Sequence, residues 1–226
     1  MTSNSASSET AALRAHARQP LALLLILSAI CVATLWAPPA GRTSWFLEVT
    51  PGLLMVFWLA FAYRRMPLSH WVYAGVFVHV LILIYGGYYT YALTPLGNWA
   101  KAAFHLSRNH YDRIGHVALG VFPVFMTREI LLRKTPLVRG GWLSFLSVSV
   151  VFAFAAFWEL LEWWTTLVVA GDTGTAFLGS QGDVWDAQWD MFLALLCAIL
   201  ALLFGSRAHD RFIARVPYPA SMRRGQ

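Results

Sequence analysis

Three aspartates, at 183, 186 and 190, stand at the head of an apolar run in the segment SQGDVWDAQWDM, residues 180–191. At about 100° per residue they fall within about a 60° arc of a helix, with Trp185 and Trp189 pointing the other way. Two further groups share helical spacing: Asp112 with His116, and Glu159 with Glu162. Carboxylates and an imidazole on converging helices make an oxygen/nitrogen ligand set suited to one divalent metal ion such as Mg²⁺, Mn²⁺ or Zn²⁺. The candidate metal ligands are His116, Asp112, Glu159, Glu162, Asp186 and Asp190. A metal ion held there activates water or polarises a phosphoryl oxygen. Asp190, Glu159 and His110 are then the candidate catalytic groups, with His105 a further group able to move protons. Arg108, Arg113 and Lys101 are candidate contacts for an anionic substrate headgroup.

Each of these residues also has a plainer role. Asp183 follows Gly182 and can cap a helix, with Asp186 three positions on to complement the dipole. Glu159 and Glu162 can pair with Arg108 or Arg113. His79, near the middle of an apolar stretch, is expected to hydrogen-bond a neighbouring helix, and Arg128 and Glu129 read as interface anchors. Asp190 lies past the first helical turn, where capping no longer accounts for it. Ionisable side chains inside a membrane cost about 2.5–3.5 kcal/mol or more and so point to function.

The elements that must position these groups are membrane spans. The chain has 226 residues, 58% hydrophobic and only 12% charged, with eleven tryptophans, which excludes an ordinary soluble globule. Its apolar blocks have the length of bilayer-crossing helices, about 17–25 residues. Six are expected: Pro20–Trp36, Trp45–Tyr63, His70–Tyr89, Ile114–Leu132, Gly141–Val169 and Val184–Phe204. Pro51 and Gly52 interrupt the second, and the fifth is too long for a straight span. The expected fold is an all-α polytopic membrane bundle, with residues 1–19 a disordered cytoplasmic N-terminus, 20–205 the six-span domain and 206–226 a basic cytoplasmic tail. Arg14 and Arg18 before an apolar run resemble a signal peptide, but no small-x-small site precedes Pro38-Pro39, so an uncleaved first span is expected. Cys31 and Cys197 have no metal or redox spacing and read as small buried side chains.

Thirteen of the seventeen Lys and Arg residues fall on one side of these spans. The positive-inside rule therefore places both termini in the cytoplasm, with residues 92–113 and 171–183 outside. This accounts for the net charge of +6 without nucleic acid; membrane lipids are the expected partners, and oligomeric state is not readable. In the outer connection, Leu96, Trp99, Ala103 and Leu106 oppose Asn98, Lys101, His105 and Arg108, the pattern of a short interfacial helix. Seven of the eleven acids, namely Asp112, Glu159, Glu162, Asp172, Asp183, Asp186 and Asp190, gather on the outer side.

The strings YYTYALTPLG, RNHYDRIGH, FWELLEWW and FLGSQGDVWDAQWDM resemble the YjdF-like family of bacterial inner-membrane proteins. The resemblance covers roughly residues 85–212, through AHDR at 208–211, and reaches the first two spans only by hydropathy. It implies a multi-pass protein of the bacterial inner (plasma) membrane and brings no catalytic assignment. No nucleophile elbow, P-loop, H-E-x-x-H or dinucleotide fingerprint is present. Three functions remain open: a metal-dependent hydrolase or transferase acting on a lipid or lipid-linked headgroup; a cation or proton transporter using Glu159, Glu162 and Asp190; and a non-catalytic scaffold with the acids as an ion-pair knot. Against transport stand the few ionisable groups expected in the inner half and the lack of an internal repeat.

Overall fold

The computed structural model describes residues 2–168 and 180–217, with side chains from Thr10 onward. The expected spans resolve into eight helices among these residues: α1 (Thr2–Trp36), α2 (Arg42–Ala62), α3 (His70–Tyr89), α4 (Pro95–Ala103), α5 (Tyr111–Val121), α6 (Pro123–Lys134), α7 (Gly141–Val168) and α8 (Asp186–Ile213), with a short 3₁₀ turn at Tyr91–Leu93. Six helical stretches are long and apolar enough to cross a bilayer, α5 and α6 counting together as the fourth. The break between α5 and α6 falls at Phe122, before Pro123 at the first position of α6; proline has no N–H to continue the α5 ladder. By contrast Pro51 lies inside α2 without ending it.

Several boundaries differ from the hydropathy pattern. α1 starts at Thr2, ahead of the expected first span and within residues 1–19. His16 gives the reason: its ring stacks on His70 with centroids 4.2 Å apart, and its Nδ1 meets the Tyr63 hydroxyl at 3.0 Å. α8 likewise runs past Phe204 to Ile213, taking in the start of the expected tail, because His209 is completely buried. Residues 169–179, with Asp172 and most of the second outer loop, lie outside the described residues, as do 218–226. α4 falls where the short helix is expected, and its Leu96 and Trp99 are exposed.

The bundle is built around α3 and α5–α6. Half of the most apolar window of each is buried, against 6% for α1, which is therefore a peripheral, lipid-facing helix. Three helices meet through four-residue stripes. On α8 the stripe is Asp186, Asp190, Ala194, Ala198 and Leu202; on α7 it is Leu143, Ser147, Val151 and Ala155, reaching Glu159 one turn on. Small residues in the middle of a stripe let helices approach closely, the usual basis of packing in lipid. Gly120 of α5 shows how close: a Cβ there would run into the backbone of Ala194 and lie 2.9 Å from Cys197 Cβ. That contact fixes α5 against α8 and so sets Asp112 and His116 beside Asp190. Trp185 and Trp189 are exposed on the opposite side of α8, as expected of lipid-facing indoles.

Candidate functional site

Polar side chains collect at the two ends of this bundle. At the acidic end, Asp112 and His116 of α5 and Asp190 of α8 are all buried, and each offers one ligand atom so that the three atoms lie within 4.8 Å of one another. His116 Nε2 is 3.8 Å from Asp112 Oδ1 and 3.2 Å from Glu159 Oε1 on α7. Among the described residues Asp190 Oδ1 and His116 Nδ1 are buried without a hydrogen-bond partner, and Glu159 Oε1 meets only the His116 ring. Unpaired polar atoms in an interior are costly, which makes this cluster the candidate site. The donor set of two carboxylates and an imidazole fits a hard or borderline divalent cation. Glu162 is buried on the same helix as Glu159, one turn on.

Asp186 has a different environment. It is buried against Arg108, whose guanidinium NH1 donates to Asp186 Oδ1, donates to Ser180 O at 2.9 Å and lies 3.6 Å from Asp183 Oδ2. Arg113 donates to Asp183 Oδ2 at 2.8 Å and sits over the Trp189 ring, 5.5 Å from its centroid. Both arginines are thus engaged by the aspartates of the α8 head. Arg108 is buried, not presented on the polar stripe of α4, whereas Lys101 in the last turn of α4 is exposed. His110 precedes α5, and burial together with Arg113 and Arg108 pushes its imidazole below the usual value. His105 is exposed, in a left-handed conformation at φ 53°.

The segment ahead of α8 is fastened to the α4–α5 loop by a reciprocal amide pair. Asn109 N–H donates to Gln181 Oε1 at 3.1 Å, and Gln181 Nε2 donates to Asn109 O at 2.7 Å. Asn109 Oδ1 also accepts from Tyr111 N–H at 3.0 Å, starting α5. Asp183 does not cap α8 directly. The helix begins at Asp186, and Asp183 Oδ1 accepts from Trp185 N–H at 3.0 Å in a turn before it, because Arg113 holds its other oxygen.

One buried acid escaped the sequence reading. Glu48 of α2 is 1% exposed at the same end as Asp112; its Oε1 accepts from Thr90 Oγ1 at 2.9 Å and Ser44 Oγ at 3.2 Å, while Oε2 has no hydrogen-bond partner. Thr90 holds φ 59°, a strained region for a β-branched residue. The available signal was an acid three residues into an apolar run. His79, expected to bond a neighbouring helix, instead has an unbonded buried Nδ1 and stacks on Phe122 at 6.5 Å.

The basic end holds a second network. Glu129 of α6 accepts from Ser69 N–H at 2.8 Å, Ser69 Oγ at 2.6 Å and His209 Nε2 at 3.1 Å, and pairs with Arg133. Arg128 donates to Asp210 Oδ1 at 2.9 Å. Glu129 and Arg128 are therefore interior tie points between the helices, not interface anchors.

Comparison with known proteins agrees with this architecture. Residues 19–211 match the family described as "Predicted membrane protein (DUF2238)". The chain is 41% identical over 174 residues to inner membrane protein YjdF of Escherichia coli strain K12, an alignment covering 77% of this chain and 83% of that protein. No solved structure matches. The match spans both polar ends of the bundle, and the chain is an integral membrane protein belonging to the DUF2238 family of YjdF-like proteins.

Proposed function

We propose that Asp112, His116 and Asp190 hold one divalent metal ion and that the protein is a metal-dependent hydrolase or transferase acting on a lipid or lipid-linked headgroup. The observation carrying this reading is the convergence of three buried donors, with Asp190 Oδ1 and His116 Nδ1 left without hydrogen-bond partners among the described residues. Buried carboxylates need a proton, a cation or a salt-bridge partner; Arg108 and Arg113 already serve Asp183 and Asp186. A divalent ion in the cluster would supply Lewis acidity and a nucleophilic water at neutral pH. Glu159, beside His116, would take the proton from an attacking hydroxyl or water. Lys101, exposed on the interfacial helix, would meet an anionic headgroup, and Arg108 and Arg113 would hold the rim in place. The excess of Lys and Arg at the opposite end supports an inner-membrane topology with both termini cytoplasmic and the acidic end in the outer leaflet.

The test is metal content and headgroup release by the purified protein in liposomes of bacterial phospholipid, read by mass spectrometry. Metal-dependent release that is lost in Asp190→Asn supports the proposal. Metal binding without release from any phospholipid would remove the enzyme assignment and leave the binding site.

A cation or proton transporter is the second reading, favoured by His79. It lies midway along α3, buried with an unbonded Nδ1, between the acidic end and the Glu129 network. Acidification of proteoliposomes that disappears in His79→Ala would favour transport over catalysis.

A further inference from the structure

At the basic end, α1, α2 and α3 enclose a groove of about 280 Å³, lined by residues including Pro20, Leu24, Val56, Leu59, Phe77 and Arg64. Arg64 is its one charged lining residue. The two tyrosine hydroxyls of the lining are occupied: Tyr63 OH meets His16 Nδ1 at 3.0 Å, and Tyr73 OH accepts from Leu68 N–H at 3.1 Å. Arg64 is exposed and forms no ion pair among the described residues, just beyond the end of α2. Arg14, Arg18 and Arg65 are exposed at the same end. Of the acids with described side chains there, Glu129 and Asp210 are already matched by Arg133 and by Arg128 with Arg139.

We propose that this groove binds one anionic phospholipid, with an acyl chain between α1 and α2 and its phosphate on Arg64. The apolar walls open beside a helix whose apolar window is only 6% buried, so the groove faces hydrocarbon rather than water. Its volume is near the lower end for small-molecule sites, about 300 Å³, which suits one flexible chain and not a folded partner. A cation at the end of an apolar groove, with further arginines at the same end and no unmatched acid there among the described side chains, selects for negative charge. The site lies at the end of the bundle opposite the Asp112 cluster and is independent of any catalysis there.

Native mass spectrometry of the full chain decides the matter, using dioleoylphosphatidylglycerol against dioleoylphosphatidylcholine, which share the same tails. One phosphatidylglycerol should be retained in preference to phosphatidylcholine by about fivefold, the factor expected of one cationic side chain near an anionic headgroup. Arg64→Gln should abolish the preference while leaving the chain folded. Ala60→Phe or Leu24→Phe, which fill the groove from α2 or α1, should lower retention of both lipids, with monodispersity checked by size exclusion. Equal retention of the two lipids by the wild type, or a preference that survives Arg64→Gln, would overturn the proposal. So would undiminished retention in both groove-filling variants.

Discussion

His209 Nε2 donates to Glu129 Oε2 at 3.1 Å, and the tautomer follows from the other side of the ring. Arg128 NH1 lies 3.2 Å from His209 Nδ1. A guanidinium only donates, so Nδ1 accepts and the proton sits on Nε2. The imidazole thereby relays between an arginine and a carboxylate that are adjacent in sequence on α6, tying α8 to α6 through a group with no exposure at all.

This geometry predicts a structural role. Glu129→Ala should strand Arg133, His209 and Ser69 together, a loss of about 3–5 kcal/mol for a broken buried ion pair. In detergent the thermal midpoint should fall by roughly 6–20 °C, at about 2–4 °C per kcal/mol for a chain of this size. Metal content should be unchanged in the fraction that remains folded. A midpoint within a degree of the wild type would show that the network contributes nothing.

Arg108 and Asp186 are expected to behave as a coupled pair. Arg108→Gln and Asp186→Asn should each destabilise, since each takes the nearest opposite charge from a buried ion. The double variant should lose less than the two losses added together, with a coupling of about 0.5–3 kcal/mol. Strictly additive losses would mean that Asp186 has another partner, and a metal ion would be the first to look for.

Topology is checked at two exposed positions. Ser107 precedes α5 at the acidic end and Val138 lies between α6 and α7 at the basic end. With native cysteines replaced, Ser107→Cys should react with an impermeant maleimide added from the periplasmic side, and Val138→Cys only after the membrane is opened. The reverse pattern would place the acidic cluster in the cytoplasmic leaflet and remove the outer-leaflet substrate.

Much of the bundle was legible because its signals are local. Apolar length marks each span, and three- and four-residue spacing put Asp112 with His116 on one face of α5. What spacing cannot carry is the rotation of one helix against another. Asp183, Asp186 and Asp190 share an arc, yet Arg113 reaches the first, Arg108 the second, and the third turns to α5. That division depends on the Gly120 approach to Ala194 and on the Asn109–Gln181 pair, contacts between segments about seventy residues apart. Glu48 was missed for the same reason: one acid in an apolar run has no visible partner until Thr90 and Ser44 are folded against it.

The three aspartates at the head of α8 should therefore part company under the same substitution. Asp183→Asn keeps an oxygen for the Trp185 N–H and loses a partly exposed pair with Arg113, so about 0.2–1 kcal/mol is expected. Asp186→Asn removes the nearest carboxylate from buried Arg108, leaving it Ser180 O and the longer approach to Asp183, and should be the most destabilising of the three. Asp190→Asn takes away a buried carboxylate for which the described residues provide no ion pair; stability should hold or rise, because a desolvated charge has been removed. Its effect should fall on the ligand instead. Metal affinity is expected to drop by at least about tenfold, since loss even of an outer-shell partner costs 10–100-fold. Elemental analysis beside thermal unfolding of the three single variants separates these outcomes. A stable Asp190→Asn protein with wild-type metal content would disprove the site, whereas one that unfolds readily would make Asp190 a structural residue of the α5–α8 contact.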